Sequence, residues 1–189
     1  LEQAEQGVRD GNLIVMLSDR YLEKCKLPVH ALLATGAVHH HLVNTGLRCD
    51  CNIIVETGVA RDAHQVACLI GYGATMVYPY LVYQSLHDIA QRGNIDKQQQ
   101  LGRSYRRGIR KGLFKIMSKM GISSIQSYRG AQLFEIVGID RAVVDRCFHG
   151  TTSRIQGANF EDLWDDQKLL AKSAWEQREP VTQGGLLKY

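Results

Sequence analysis

Three consecutive histidines, His39, His40 and His41, stand inside the apolar run ALLATGAVHHHLVNTG at residues 31–46. Imidazoles are the commonest metal ligands and proton carriers. Adjacent residues of a helix, however, lie about 100° apart around its axis, so these three cannot converge on one metal while the helix is regular. Helical ligand pairs need a spacing of three or four, and no His or carboxylate lies four residues after any of them. The expectation is three side chains pointing three ways, and no metal site. Cys49 and Cys51 would share one face of a strand, but a metal there needs two more ligands that the spacing does not offer. The glycine-bounded stretches at 71–73 and 150–157 (the latter GTTSRIQG, with Arg154) lack the lysine and spacing of a phosphate loop, and read as turns.

Other polar groups fall where strands should end. Parallel α/β folds meet ligands at the carboxyl ends of their strands. Those ends carry Ser18-Asp19-Arg20, Glu56-Thr57, Tyr78 and Gln126-Ser127-Tyr128. Asp19, Arg20, Glu56 and Gln126 are therefore the candidate site residues. The same residues could instead form an ion pair that closes the sheet. With no nucleophile, base or metal framework beside them, the structural role is preferred and no catalytic residue is assigned.

The elements that would position these groups follow from periodicity. Residues 1–10 read as a helix ended by Gly11. NLIVMLS (12–18), CNIIVET (51–57) and ATMVY (74–78) read as short apolar strands, and GISSIQSY offers a fourth over 125–128. Helices fall between them, from Pro28 to Gly46, Asp62 to Gly71 and Tyr80 to Ala90. Continuous apolar strands alternating with helices predict an α/β fold whose parallel strands are covered on both faces. Residues 94–120 read as an amphipathic helix. Leu101, Tyr105, Ile109, Leu113, Phe114, Ile116 and Met120 belong to its buried stripe, and Arg103, Arg106, Arg107, Arg110, Lys111, Lys115 and Lys119 to a solvated face with interhelical ion pairs. From residue 129 onward AQLFEIVGI, RAVVDRCFHG and FEDLWDDQKLLAKSAWEQ read as helical. The division is a βα portion over 1–128 and a helical extension over 129–189, together one structural domain.

The composition is that of an ordinary globular chain: 189 residues, 44% hydrophobic, 22% charged, net charge +4. The charge is too weak to argue for nucleic acid by itself. Five cysteines without a CxxC pattern suggest free thiols in a reducing, cytoplasmic setting, and no apolar run is long enough for a bilayer. The chain opens on Leu1 without Met and stops at QGGLLKY, which reads as part of a longer chain.

Longer phrases are more specific than any periodicity. LIVMLSDR, the run from ALLATGAVHHHLVNTG through IIVETGVARDAHQVACLIGYGATMVYPYL, GLFKIMSKMGISSIQSYRGAQLFEIVGI and GTTSRIQGANFEDL resemble, in order, the large subunit of bacterial NADPH-dependent glutamate synthase. The matching part is the C-terminal portion of its central domain, an incomplete relative of a (β/α) barrel. The resemblance implies an enzyme that hydrolyses glutamine, channels ammonia to 2-oxoglutarate, and reduces the product to glutamate with electrons from NADPH. It implies FMN and a 3Fe-4S cluster in the full-length subunit, and FAD and NADPH on a flavoprotein small subunit. None of these cofactors is expected within this segment. The amidotransferase nucleophile would be a cysteine followed by glycine at the mature N-terminus, where Leu1 stands; Cys49 and Cys51 do not match the three closely spaced cluster cysteines. The implied role is that of a part: it links the amidotransferase and FMN domains, with the other domains and the small subunit as partners. Two other functions remain open from sequence, a free-standing module binding an anion at the strand ends, and nucleic-acid binding through residues 103–119.

Overall fold

The computed structural model describes residues 1–24, 26–93 and 98–176. Cys25, residues 94–97 of the basic stretch and the terminal QGGLLKY lie outside the described residues. In chain order the elements are α1 (Glu2–Arg9), β1 (Ile14–Ser18), α2 (Ala31–Asn44), a single 3-10 turn (Arg48–Asp50), β2 (Asn52–Glu56), α3 (Ala63–Gly71), β3 (Met76–Tyr78), α4 (Tyr80–Arg92), α5 (Gln98–Lys119), α6 (Ile125–Tyr128), β4 (Glu135–Ile139), α7 (Arg141–Cys147), β5 (Thr152–Ala158) and α8 (Phe160–Glu176).

The α/β class with parallel βα units holds. Strands β1, β2 and β3 form one parallel sheet in that order, with Met16, Ile54 and Met76 in one row and Ser18, Glu56 and Tyr78 two residues further along. Side chains alternate across a strand. Val15, Leu17, Ile53, Val55 and Val77 point to the helical layer, where Ile53 and Val55 are buried with Val38, Leu42, Val66 and Leu69. Complete burial of a side chain such as Leu42 or Ile53 contributes about 1.5–3 kcal/mol. The opposite face is not covered as the apolar runs predicted. Ile14, Met16 and Met76 on it are 55%, 59% and 57% exposed. A continuous apolar run encodes two faces to be covered, and the described residues supply a layer for one.

Two local expectations are corrected. Residues 125–128 form the short helix α6, not a fourth strand: the Ser124 hydroxyl accepts from the Gln126 amide as an N-cap, and Tyr128 is buried against Ala67 and Met117. The helical reading of residues after 129 is correct for α7 and α8 only. Glu135–Ile139 and Thr152–Ala158 pair in parallel as a second, two-stranded sheet bridged by α7. Ile136, Val137 and Ile155 favour extended backbone, and the supposed turn at 150–157 is thus largely strand. Tyr72 packs with Val143, Val144, Cys147 and Phe148, which ties the second sheet's helix to the first unit. At the α2–α7 crossing a Cβ on Gly36 would lie 1.9 Å from the Cys147 carbonyl oxygen, so only glycine permits that approach.

Candidate functional site

The carboxyl ends of β1 and β2 bring three of the four candidates together. Parallel register sets Ser18 beside Glu56, which directs both side chains and the residues that follow to one rim. The Ser18 hydroxyl donates to Glu56 Oε2 at 2.6 Å, and Arg20 Nη1 donates to Oε1 at 3.1 Å. The Ser18 hydroxyl, and then the Arg20 guanidinium, hold the Glu56 carboxyl below its usual range; the Glu56 bond raises Arg20 in turn. Asp19 turns toward the loop after β2. Its Oδ2 accepts from the Thr57 hydroxyl, and Oδ1 from the Gly58 amide at 2.9 Å. The Asp19 amide donates to the Glu56 carbonyl at 3.2 Å, continuing the ladder past the last strand residue. Tyr80, at the start of α4, closes the group. Its hydroxyl reaches the Asp19 carbonyl at 3.4 Å, its ring lies 5.6 Å under the Arg20 guanidinium, and burial, then Asp19, pushes its phenol up to about 12.

Every carboxylate oxygen in this group has a donor, and the one guanidinium faces the one glutamate. Such an arrangement fixes three chain segments to one another. An open cleft of about 620 Å³ adjoins the group on the side of Arg20, Tyr78 and Tyr80, but the Glu56 and Asp19 carboxylates are engaged within the group, and Tyr80 is held as a neutral phenol. Gln126 does not join it. The strand that was to carry it is α6, whose Tyr128 belongs to a separate cluster with α3 and α5. Thr57, noted at a strand end but not taken as a candidate, is the hydroxyl that donates to Asp19, and Tyr80 was missed as the ring beside Arg20. The polar Thr57 at the end of an apolar strand was the available signal for the first.

His41 points away from the other two as the helix geometry requires, whereas the His39 and His40 rings meet edge to face, centroids 5.1 Å apart. His41 Nε2 meets Glu5 Oε2 of α1 at 2.7 Å. His40 sets its ring edge-on to His149, centroids 5.8 Å apart. His39 accepts from Arg48 Nε at 2.9 Å, and Arg48 also donates to the carbonyls of Cys51 and Gly73 at 2.8 Å each. Gly73 has a φ of +113°, and a Cβ there would lie 2.3 Å from His39 Nδ1. Burial, followed by the charge of Arg48, pushes His39 down to about 4. This imidazole is thus a neutral acceptor that organises Arg48 across the starts of β2 and β3. Among the described residues no three His, Cys, Asp or Glu gather as metal ligands.

A second concavity of about 670 Å³ lies between α3, β4 and α8, lined largely by apolar groups including Leu33, Tyr72, Phe134, Trp164 and Leu170. His64 and Cys68 border it with Nε2 and Sγ 3.7 Å apart, a pair legible in the i, i+4 spacing but not singled out from sequence. Burial, then Asp62, raises the Cys68 thiol, so the pair does not supply the thiolate that nucleophilic chemistry needs.

The fold and its strand-end network define a parallel βα domain whose strand-end carboxylates are engaged by neighbouring groups of the same rim. A profile of the glutamate synthase central domain matches residues 1–140, and the chain belongs to that family. It is 41% identical to the glutamate synthase [NADPH] large chain of Bacillus subtilis over 175 residues, covering 92% of this chain and 12% of that one. It is 36% identical over 189 residues to the glutamate synthase [NADH] of Saccharomyces cerevisiae, covering 95% and 9%, and 42% identical over 189 residues to the ferredoxin-dependent glutamate synthase of Pyropia yezoensis, covering 93% and 12%. The chain therefore spans about a tenth of the length of the curated relatives it matches. Among solved structures, a flavocytochrome b2 mutant with pyruvate bound overlays at a TM-score of 0.48 and 18% identity, over 80% of this chain and 38% of that one, too loosely to carry an argument.

Proposed function

We propose that this chain is the positioning segment of a glutamate synthase large subunit, converting glutamine, 2-oxoglutarate and NADPH to two glutamates. In this reading it links the amidotransferase and FMN domains and forms part of the wall of the ammonia path between them. The observation that carries the proposal is the network of Ser18, Asp19, Arg20, Glu56, Thr57 and Tyr80, in which every carboxylate oxygen accepts from a group of the same rim. The exposed apolar row of Ile14, Met16 and Met76 suits a sheet that packs within a larger assembly.

FMN and the 3Fe-4S cluster would be held by other parts of the subunit, and FAD and NADPH by the small subunit. This reading is supported by Cys49 being exposed while Cys51 is buried with its carbonyl accepting from Arg48, and by the strand-end carboxylates being engaged within their own rim. The segment has no activity of its own in this account. Residues 1–128 and the extension from 129 act as one body, and the enzyme works in the cytoplasm; no helix among the described residues is long and apolar enough to cross a membrane.

The test is made in the full-length synthase. Replacing this segment by a flexible linker of similar span should leave glutamine hydrolysis measurable while glutamate formation lags behind it, with ammonia released to solvent. Coupled turnover in the replaced enzyme would refute the linking role. The strand-end anion module is the weaker reading, because Arg20 is already paired with Glu56.

A further inference from the structure

The outer face of α5 is a charged surface without ion-pair partners among the described residues. Arg103, Arg106, Arg107, Arg110, Lys111, Lys115 and Lys119 are all exposed. None of them pairs with a carboxylate among the described residues, so the ion pairs that would neutralise a merely solvated face are missing. Phe114, expected in the buried stripe, is 60% exposed. At about 100° per residue it shares a sector of about 60° with Arg103, Arg107 and Arg110. The other side of the helix is occupied: Leu113 and Met117 pack inward, and the Tyr105 hydroxyl donates to the Arg61 carbonyl at 3.1 Å.

We infer that this face of α5 docks an acidic protein surface, with Phe114 as the apolar anchor and the arginines around it pairing with carboxylates. Seven like charges on one helix repel one another, so an acidic partner removes an intrachain cost as well as adding contacts. The three charges that share the Phe114 sector, Arg103, Arg107 and Arg110, are arginines, whose planar forks take carboxylates in pairs. A single aromatic ringed by guanidinium groups has the form of an interface anchor with a charged rim. The face does not suit the two other anionic partners. Single-stranded nucleic acid is held on several stacked aromatics, and Tyr105 is turned inward, leaving one. A membrane-surface helix gives its apolar side to lipid, and that side is packed on α3 and α4. The chain spans 9–12% of its relatives' length, so the acidic surface can lie elsewhere in the same longer polypeptide.

The experiment titrates the chain with a fluorescein-labelled glutamate-rich peptide carrying one leucine, and separately with a labelled single-stranded RNA of similar length. The peptide should bind at about 50 mM salt and weaken at least tenfold by about 200 mM. Arg107→Glu with Arg110→Glu should lower its affinity at least tenfold, with helicity unchanged by circular dichroism. Phe114→Ala should lower it about fivefold while leaving the salt dependence as it was. Absence of peptide binding would overturn the inference. So would RNA binding tighter than the peptide and indifferent to Phe114→Ala, which would assign the face to nucleic acid.

Discussion

Acidification should weaken the fold through His39, by an amount that the structure sets. The imidazole accepts from Arg48 Nε at 2.9 Å, and protonation both destroys that acceptor and sets two cations together. Its folded value is pushed from an ordinary 6.5 to about 4. The unfolded chain thus binds more protons than the folded one between these values. Stability is highest above pH 6.5 and declines as pH falls toward 4. At pH 5 such a group would cost about 2 kcal/mol at most, from about 1.4 kcal/mol per tenfold ratio. His39 is partly open to solvent, and screening reduces the expectation to about 1–2 kcal/mol. The assay compares urea midpoints of the wild type and His39→Gln at pH 7, 6 and 5. Glutamine keeps an acceptor for Arg48 but does not titrate in this range. Burial lowers His30 and His40 as well, so the meaningful quantity is the difference between the two proteins. That difference should shift by about 1–2 kcal/mol in favour of His39→Gln between pH 7 and pH 5. Parallel pH profiles for the two proteins would refute the reasoning.

Three further outcomes follow. Asp19→Ala removes the acceptor for the Thr57 hydroxyl and the Gly58 amide, and should cost about 2 kcal/mol in chemical denaturation, with Thr57→Val costing less. Gly36→Ala forces α2 off the Cys147 carbonyl, and should lower stability by about 2–3 kcal/mol and quench the near-ultraviolet signal of the Tyr72–Phe148 cluster. Cys68 should react with an alkylating reagent more slowly than the exposed Cys49, because burial raises its thiol; faster modification of Cys68, read by mass spectrometry, would contradict that assignment.

Sequence periodicity revealed the first sheet well, because NLIVMLS, CNIIVET and ATMVY are short apolar runs between helices with clear starts and stops. It also revealed the separate direction of His41, which needs only the pitch of a helix, but not the edge-to-face contact of His39 with His40. It failed where local chemistry outweighed pattern. Ser124 caps a turn of helix in a stretch that otherwise looks extended. AQLFEIVGI became a strand because the partner Thr152–Ala158 lies across α7, and pairing of that kind leaves no mark within the strand itself. Asp19, Arg20 and Glu56 were legible as neighbours from the ends of two parallel strands. The Arg20–Glu56 ion pair was among the readings weighed there, but the parts of Ser18 and Thr57 were not legible, because they depend on both hydroxyls reaching the same rim. Phe114 was misjudged because the drift of the basic residues around α5 carries it to their side.

The central claim, that the strand-end network is a closed positioning device, is tested most directly by flavin retention. The purified chain is mixed with excess FMN, passed through a gel-filtration column, and its visible absorption recorded. The account predicts no retained flavin. Stoichiometric retained flavin would contradict it, and would make the rim of Asp19, Arg20 and Glu56 a ligand site.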